Sequence, residues 1–390
     1  MEFELSDEQL AYQDAARQFA QGELAPFAAQ WDEREEFPKA VLAKAGELGF
    51  CSLYTPESAG GLSLSRLDAS IVFEELARGC TSTTAFLTIH NMALWMIAAF
   101  GTESVRETFC PKLATGEALA SYCLTEPGAG SDAAALKSTA RRVDGGYRLT
   151  GTKAFISGAG DTDVLVVMAR LVNGEGTQPG AKGICAFAVD AGSEGVGFGR
   201  KESKMGWNSQ PTRQINFEDV FVPEGHRLGA EGEGFKIAMR GLDGGRINIA
   251  TCSVGTAQAA IDQTCAYLGE RKAFGRTIGS FQALQFKLAD MATHLVASRQ
   301  MVRLAAFKLD RGHADATTYC AMAKRLATDL CFDVCNDALQ LHGGYGYIKE
   351  FPLERHVRDT RVHQILEGTN EIMRMIIGRR MLVEGASALL

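Results

Sequence analysis

Apolar residues recur at three- and four-residue spacing through most of the first 119 positions, and the pattern breaks mainly at Pro, Gly and Ser. That period predicts helices over 8–23, 39–48, 66–77, 82–100 and 102–114. The first of them carries its own start signal. Ser6 is placed to cap it, Gln9 to close a capping box, and Leu5 and Leu10 to form a hydrophobic staple. From about position 121 the texture changes. Short runs rich in β-branched and aromatic residues appear at 163–170, 183–190 and 213–223, and nearly half of the 42 glycines fall between 121 and 235. The Asp-Gly-Gly at 144–146 is a good hairpin turn. After about 236 the helical period returns in long stretches rich in Ala, Leu and Met, as expected of a packed bundle. The expected fold is therefore α+β in three parts: a helical domain over 1–120, an antiparallel β domain over 121–235 and a helical bundle over 236–390.

Composition narrows the function classes. The chain has 390 residues, 46% of them hydrophobic and 22% charged, which is ordinary for a globular protein with a sizeable core. A formal net charge of −7 without any basic block argues against a nucleic-acid partner. The longest apolar stretch, 85–100, is interrupted by His90 and Asn91 and is expected to be too short to cross a bilayer, so no membrane is expected. The helical start at Ser6 reads as neither signal nor transit peptide. The expected location is a bacterial cytoplasm, or the mitochondrial matrix for a processed eukaryotic chain. Ten cysteines without a CxxC spacing or a histidine cluster give no disulfide framework and no metal site.

Two glycine clusters imitate a phosphate loop. Gly195, Gly197 and Gly199 lie inside the β region, however, and Gly343, Gly344 and Gly346 interrupt the bundle. A dinucleotide loop needs a strand before it and a helix after it, so neither is read as one.

Three strings carry chemistry in a fixed order. They are YCLTEPGAGSD (122–132), ERKAFG (270–275) with the FQALQFKLADM after it, and QLHGGYGY (340–347) followed by ILEGTNEIMRMIIGRR. In this order and at these spacings they resemble the acyl-CoA dehydrogenase family over essentially the whole chain. The stretches around 79–97, 204–213 and 240–250 resemble its branched-chain members that act on isobutyryl-CoA in valine breakdown.

The resemblance implies an N-terminal helical domain, a middle β domain and a C-terminal four-helix bundle, with FAD as cofactor. It implies α,β-dehydrogenation of a short acyl-CoA, with Glu367 as the catalytic base. A carboxylate in that role needs its pKa raised toward the working pH by loss of water. Other members carry the base just before the arginine that matches Arg246. Here that position is Gly245, which leaves Glu367, and Asp243 is expected to position substrate together with Gly244, Gly245 and Arg246. Gly368, Ser131, Arg379 and Trp95 complete the implied substrate contacts, with Trp95 shortening an acyl pocket lined by the helix around 89–95. His90 on that helix is read as a hydrogen-bonded residue and not as a catalyst.

For FAD the resemblance implies Tyr122, Cys123, Leu124, Thr125, Gly130 and Ser131 along the ring. It further implies Phe155, Ile156 and Ser157 on its outer face, where many relatives have Trp and Thr for the Phe and Ser. Arg271, Phe274, Phe281, Gln282, Gln340, Leu341, His342, Gly343 and Gly344 are implied contacts to the FAD of a neighbouring subunit, and Thr369, Asn370 and Glu371 contacts beside the base. A cofactor shared in that way implies a homotetramer, and the electron acceptor implied is an electron-transfer flavoprotein.

Overall fold

The computed structural model describes residues 4–173, 176–177 and 179–385. Its helices in the first part are α1 (Asp7–Phe19), α2 (Ala28–Arg34), α3 (Lys39–Glu47), α4 (Arg66–Gly79), α5 (Thr81–Phe100) and α6 (Glu103–Ala114). The capping box at Ser6 and Gln9 is formed in full. Only α2 has no counterpart in the periodic reading. It is short and held by a single large apolar side chain, Trp31, buried and stacked on Phe27 at 5.8 Å.

The middle part is built on β1 (Ala120–Cys123), β2 (Thr139–Val143), β3 (Gly146–Ser157), β4 (Val164–Asn173), β5 (Gly176–Thr177), β6 (Ile184–Asp190), β7 (Val196–Phe198), β8 (Thr212–Pro223) and β9 (Arg227–Leu228). They form one sheet in the order β7-β8-β3-β2-β4-β6-β9, with β1 and β5 also paired to β4. The expected antiparallel sheet is in fact mixed, because β4 pairs in parallel with both β1 and β2. The reason is topological. β2 and β3 form the Asp-Gly-Gly hairpin, the chain turns back after β3, and β4 therefore runs in the direction of β2. β6 is buried at six successive positions, Ile184 to Val189, as expected for a strand covered on both faces.

The last part holds α7 (Gly234–Glu270), the small hairpin β10 (Lys272–Ala273) and β11 (Arg276–Thr277), α8 (Gln282–Asp310), α9 (Ala316–His342), α10 (Gly344–Tyr347), α11 (Leu353–Arg361) and α12 (Asn370–Glu384). α7, α8 and α9 pack on one another, and α12 lies on α9. α7 also packs against α4 and α5, so it belongs to the bundle and to the N-terminal core at once. α5 is 20 residues long and apolar enough to cross a membrane by length and composition, which removes the length argument made from the sequence. Its surroundings decide instead, since 78% of that stretch is buried inside the fold. His90 on α5 accepts from the Ala120 N–H at Nδ1 (3.0 Å), so its other nitrogen carries the proton and donates to the Leu113 carbonyl (2.9 Å). The ring thus ties α5 to α6 and β1, and burial pushes its pKa down to about 4.

Candidate active site

Glu367 sits in the connection that enters α12. Its φ is +56° and that of Gly368 is +89°, two successive left-handed residues that reverse the chain. Thr369 then caps α12, its hydroxyl accepting from the Ile372 N–H. A non-glycine residue at such a φ persists only where its surroundings hold it. Here the surroundings are cationic. The Lys324 ammonium on α9 donates to the Gly368 carbonyl at 2.8 Å and to Asn370 Oδ1 at 2.7 Å, and Arg246 Nε on α7 reaches the Glu367 carbonyl at 3.5 Å.

The reversal throws the Glu367 carboxylate back onto α7, directly over Gly245. A Cβ at position 245 would lie 2.4 Å from Glu367 Oε2, so the missing side chain is what makes room for the carboxylate. Oε2 is enclosed and has no hydrogen-bond partner among the described residues. Burial raises the Glu367 pKa to about 7, against the opposing charges of Arg246 and Lys324. Burial likewise pulls Lys324 down, to about 7. The Tyr122 hydroxyl is also enclosed and unpartnered, and its pKa is raised well above the usual phenol range by burial and by Glu367. Two buried polar atoms without partners, one under the charge of the other, fit a place where a ligand supplies the partners. Tyr122 and Trp95 keep accessible surface although both pack on the core. Asp243 pairs with Arg246 at 2.7 Å and accepts from the Thr317 hydroxyl at 2.7 Å. Burial raises its pKa while Arg246 opposes, so the pair is a built unit on α7 that flanks Gly245 and sits beside the carboxylate.

The loop after β1 is rigid for reasons internal to the chain. The buried Lys153 ammonium donates to the Leu124 carbonyl (3.0 Å) and to Glu126 (2.8 Å), and Glu126 accepts from the backbone of Lys137 and Ser138. The Ala154 N–H donates to the Thr125 carbonyl at 2.9 Å. Cys123 and Leu124 are buried, Tyr122 and Thr125 half-buried, and Gly130 and Ser131 exposed. On the neighbouring strand the β3–β8 register shifts between Lys153 and Ile156. That bulge puts Phe155 at φ +57° and leaves the residue 70% exposed, while Ile156 is buried and Ser157 half-buried. An aromatic face turned outward beside a loop of bare backbone fits a flat cofactor ring, since a Cβ at Gly128 or Gly130 would meet nothing within 4 Å.

A third group lies on the outer surface of the bundle. Arg271, Gln340, Leu341, His342, Gly343 and Gly344 line a cleft of about 450 Å³ with Tyr267 and Tyr345. Phe274 and Phe281 pack edge to face at 6.1 Å on the β10–β11 hairpin and the segment before α8, where Gln282 begins the helix. Glu367 is not among the residues of this cleft. Of the residues after Glu367, Asn370 has its side chain fully engaged within the chain, donating to Thr328 and Asp329 and accepting from Lys324. Any cofactor contact there is left to its backbone. Glu371 is exposed and pairs with Arg374, and Arg379 is exposed.

Lys324, Lys153 and Arg66 were not singled out from the sequence. Lys324 did leave a signal, because it falls on the stripe of Cys320, Ala327, Cys331 and Cys335 that α9 buries.

Three acyl-CoA dehydrogenase models match the chain: the N-terminal domain over residues 6–117, the middle domain over 121–220 and the C-terminal domain over 232–382. The chain is 54% identical to the mitochondrial isobutyryl-CoA dehydrogenase of Bos taurus over 380 residues, covering 97% of this chain and 90% of that protein. The corresponding enzyme of Dictyostelium discoideum is 51% identical over 377 residues, with the same coverage of 97% and 90%. The structure of butyryl-CoA dehydrogenase from Megasphaera elsdenii superposes with a TM-score of 0.93 at 37% identity, covering 98% of this chain and all of that one. The family is FAD-dependent. With an unpaired carboxylate over a bare helix, an outward aromatic at a strand bulge and these matches over nearly its full length, the chain belongs to the acyl-CoA dehydrogenase family of flavin-dependent oxidoreductases.

Proposed function

We propose that the chain oxidises a short branched acyl-CoA, isobutyryl-CoA to methacrylyl-CoA, with Glu367 removing the α proton. The observation that carries the reading is the enclosed, unpartnered Oε2 of Glu367 with a pKa raised to about 7. A base in that state is neither quenched by an ion pair nor too acidic to take a proton from a thioester α carbon. As the proton leaves Cα for Glu367, the electron pair of that C–H bond forms the C=C bond and hydride departs from Cβ. FAD, when bound, accepts that hydride. The loop of Tyr122, Cys123, Leu124, Thr125, Gly130 and Ser131 and the bulge at Phe155, Ile156 and Ser157 would hold its ring. The cleft of Arg271 and Gln340–Gly344 would hold the phosphate end of a neighbour's cofactor, with the guanidinium forking onto phosphate oxygens. The α7 unit of Asp243 and Arg246 positions the substrate beside Gly368, and Arg379 lies at the CoA end. The branched short chain is favoured by the 54% identity to an isobutyryl-CoA dehydrogenase. In the same reading the chain works as a homotetramer and passes its electrons to an electron-transfer flavoprotein.

The test is an anaerobic titration of the FAD-bearing protein with isobutyryl-, butyryl-, 2-methylbutyryl- and isovaleryl-CoA, following the oxidised-flavin absorbance. Isobutyryl-CoA is expected to bleach it fastest, and Glu367→Gln to keep FAD but slow bleaching by about 10²-fold or more. Faster bleaching by another chain overturns the substrate, and unimpaired bleaching in Glu367→Gln overturns the base.

A further inference from the structure

Glu367 is not the only charged side chain that uses a missing Cβ on α7. Gly244 precedes Gly245, and a Cβ there would lie 2.3 Å from Nη1 of Arg66. The two adjacent glycines thus admit two ionisable groups from opposite parts of the chain, the carboxylate at one and a guanidinium at the other. Arg66 is only 7% exposed, its Nη1 is buried without a hydrogen-bond partner, and its side chain forms no ion pair among the described residues. Buried cations are ordinarily paired. This one is held by rings instead, with its Cζ 3.4 Å from the Tyr54 ring centroid and 5.0 Å from that of Trp95. Tyr54 in turn accepts from Asn248 Nδ2 at 3.1 Å, one helical turn beyond the glycine pair. The backbone behind the guanidinium is equally fixed, because the N–H groups of Arg66 and Leu67 donate to the Asp310 carboxylate at 2.7 and 3.1 Å.

We propose that Arg66 is a specificity-determining residue, closing with Tyr54 the acyl end of the site whose catalytic end is Glu367. This rests on the reading of Glu367 as the base. A substrate whose α carbon meets that carboxylate lays its acyl tail along the bare face of α7, toward Gly244, Trp95 and Arg66. A short chain ends before the guanidinium. A longer one meets a flat cation that ring and backbone hold in place, and it covers the free Nη1–H with methylenes that offer no acceptor. Length is therefore limited by shape and by charge together.

The experiment compares kcat/KM for isobutyryl-, butyryl-, hexanoyl- and octanoyl-CoA in the FAD-bearing wild type, Arg66→Met and Arg66→Lys, with thermal midpoint and FAD content measured on each. The wild type should favour isobutyryl-CoA over hexanoyl-CoA by at least tenfold. Arg66→Met should move that ratio roughly tenfold or more toward hexanoyl-CoA, the scale on which pocket length discriminates. Arg66→Lys, which keeps the charge, should retain the short-chain preference. An unchanged ratio in a folded, FAD-bearing Arg66→Met, or an equal loss on all substrates, overturns the proposal and leaves the dehydrogenase reading intact. Failure of both variants to fold makes Arg66 a structural residue and overturns it equally. If the wild type turns over none of the four substrates, the dehydrogenase reading itself falls and takes this proposal with it.

Discussion

At the level of single residues the site is built from groups that would be unfavourable elsewhere. Glu367 combines a left-handed backbone, worth roughly 1–3 kcal/mol of strain, with a carboxylate oxygen that no donor satisfies. The proposed role as base would account for both, and the cost is measurable. Below about pH 4.5, the ordinary value for a glutamate, the carboxyl is protonated whether the chain is folded or not. Between there and about pH 7 the folded chain keeps a proton that the unfolded chain releases, so this group's contribution to stability falls as pH rises. Above pH 7 the loss is complete. Glu367→Gln replaces the group with a neutral amide of the same shape and should be more stable than wild type at pH 8, by about 1–3 kcal/mol. The advantage should vanish as pH approaches 4.5. Scanning calorimetry of both proteins with saturating FAD across this range checks it, and a difference that does not change with pH would mean that the carboxylate is not the source.

The connecting element that carries Glu367 is held from two neighbouring helices, and this gives Lys324 a role that can be separated from simple packing. Its ammonium fixes the carbonyl of Gly368 and the side chain of Asn370, and its charge lowers the Glu367 pKa against the effect of burial. Lys324→Met keeps the apolar stem and removes the charge. The apparent pKa on the acid limb of kcat/KM should then rise by about one unit, and kcat should fall because the turn loses its anchor. A fall in kcat without any movement of the acid limb would reduce Lys324 to a structural contact. The same element shows how far the sequence could be read. Glu367 was legible because it lies in an ordered set of motifs, and Gly245 because it stands where a rival base would be. The long helices were legible from period alone. Lys324 and Arg66 were not singled out, because a charged residue in a helical pattern reads as solvent-facing until tertiary packing closes over it. The bulge that exposes Phe155 depends on the register between β3 and β8, and the parallel pairing of β4 depends on where the chain turns after β3. Neither is encoded in a local window.

For the molecule as a whole, the distribution of apolar surface bears on whether one chain is a complete enzyme. The exposed large apolar side chains gather in the C-terminal part. Phe286, Val296, Leu304 and Phe307 lie on α8, Met375, Met381, Leu382 and Val383 on α12, and Tyr345, Tyr347 and Ile348 around α10. Phe274 is the extreme case, 93% exposed at φ +52° on the tip of the β10–β11 hairpin. Scattered apolar residues need no explanation, but a concentration of this kind is characteristic of an association surface. The hairpin also lies next to Arg271 and the outer cleft, so in the proposed homotetramer a neighbour that covers Phe274 would bring its own cofactor within reach of that cleft. Assembly and FAD retention should therefore fail together. Phe274→Ser combined with Phe286→Ser is expected to shift the protein toward smaller species in sedimentation velocity at micromolar concentration and to raise the FAD dissociation constant roughly tenfold or more, on the scale of losing an aromatic anchor. The N-terminal and β-domain cores, which these residues do not touch, should keep the thermal unfolding of the dissociated chain cooperative. A variant that dissociates yet holds FAD as tightly as the wild type would show that each chain binds its cofactor alone, and the outer cleft would then need another ligand.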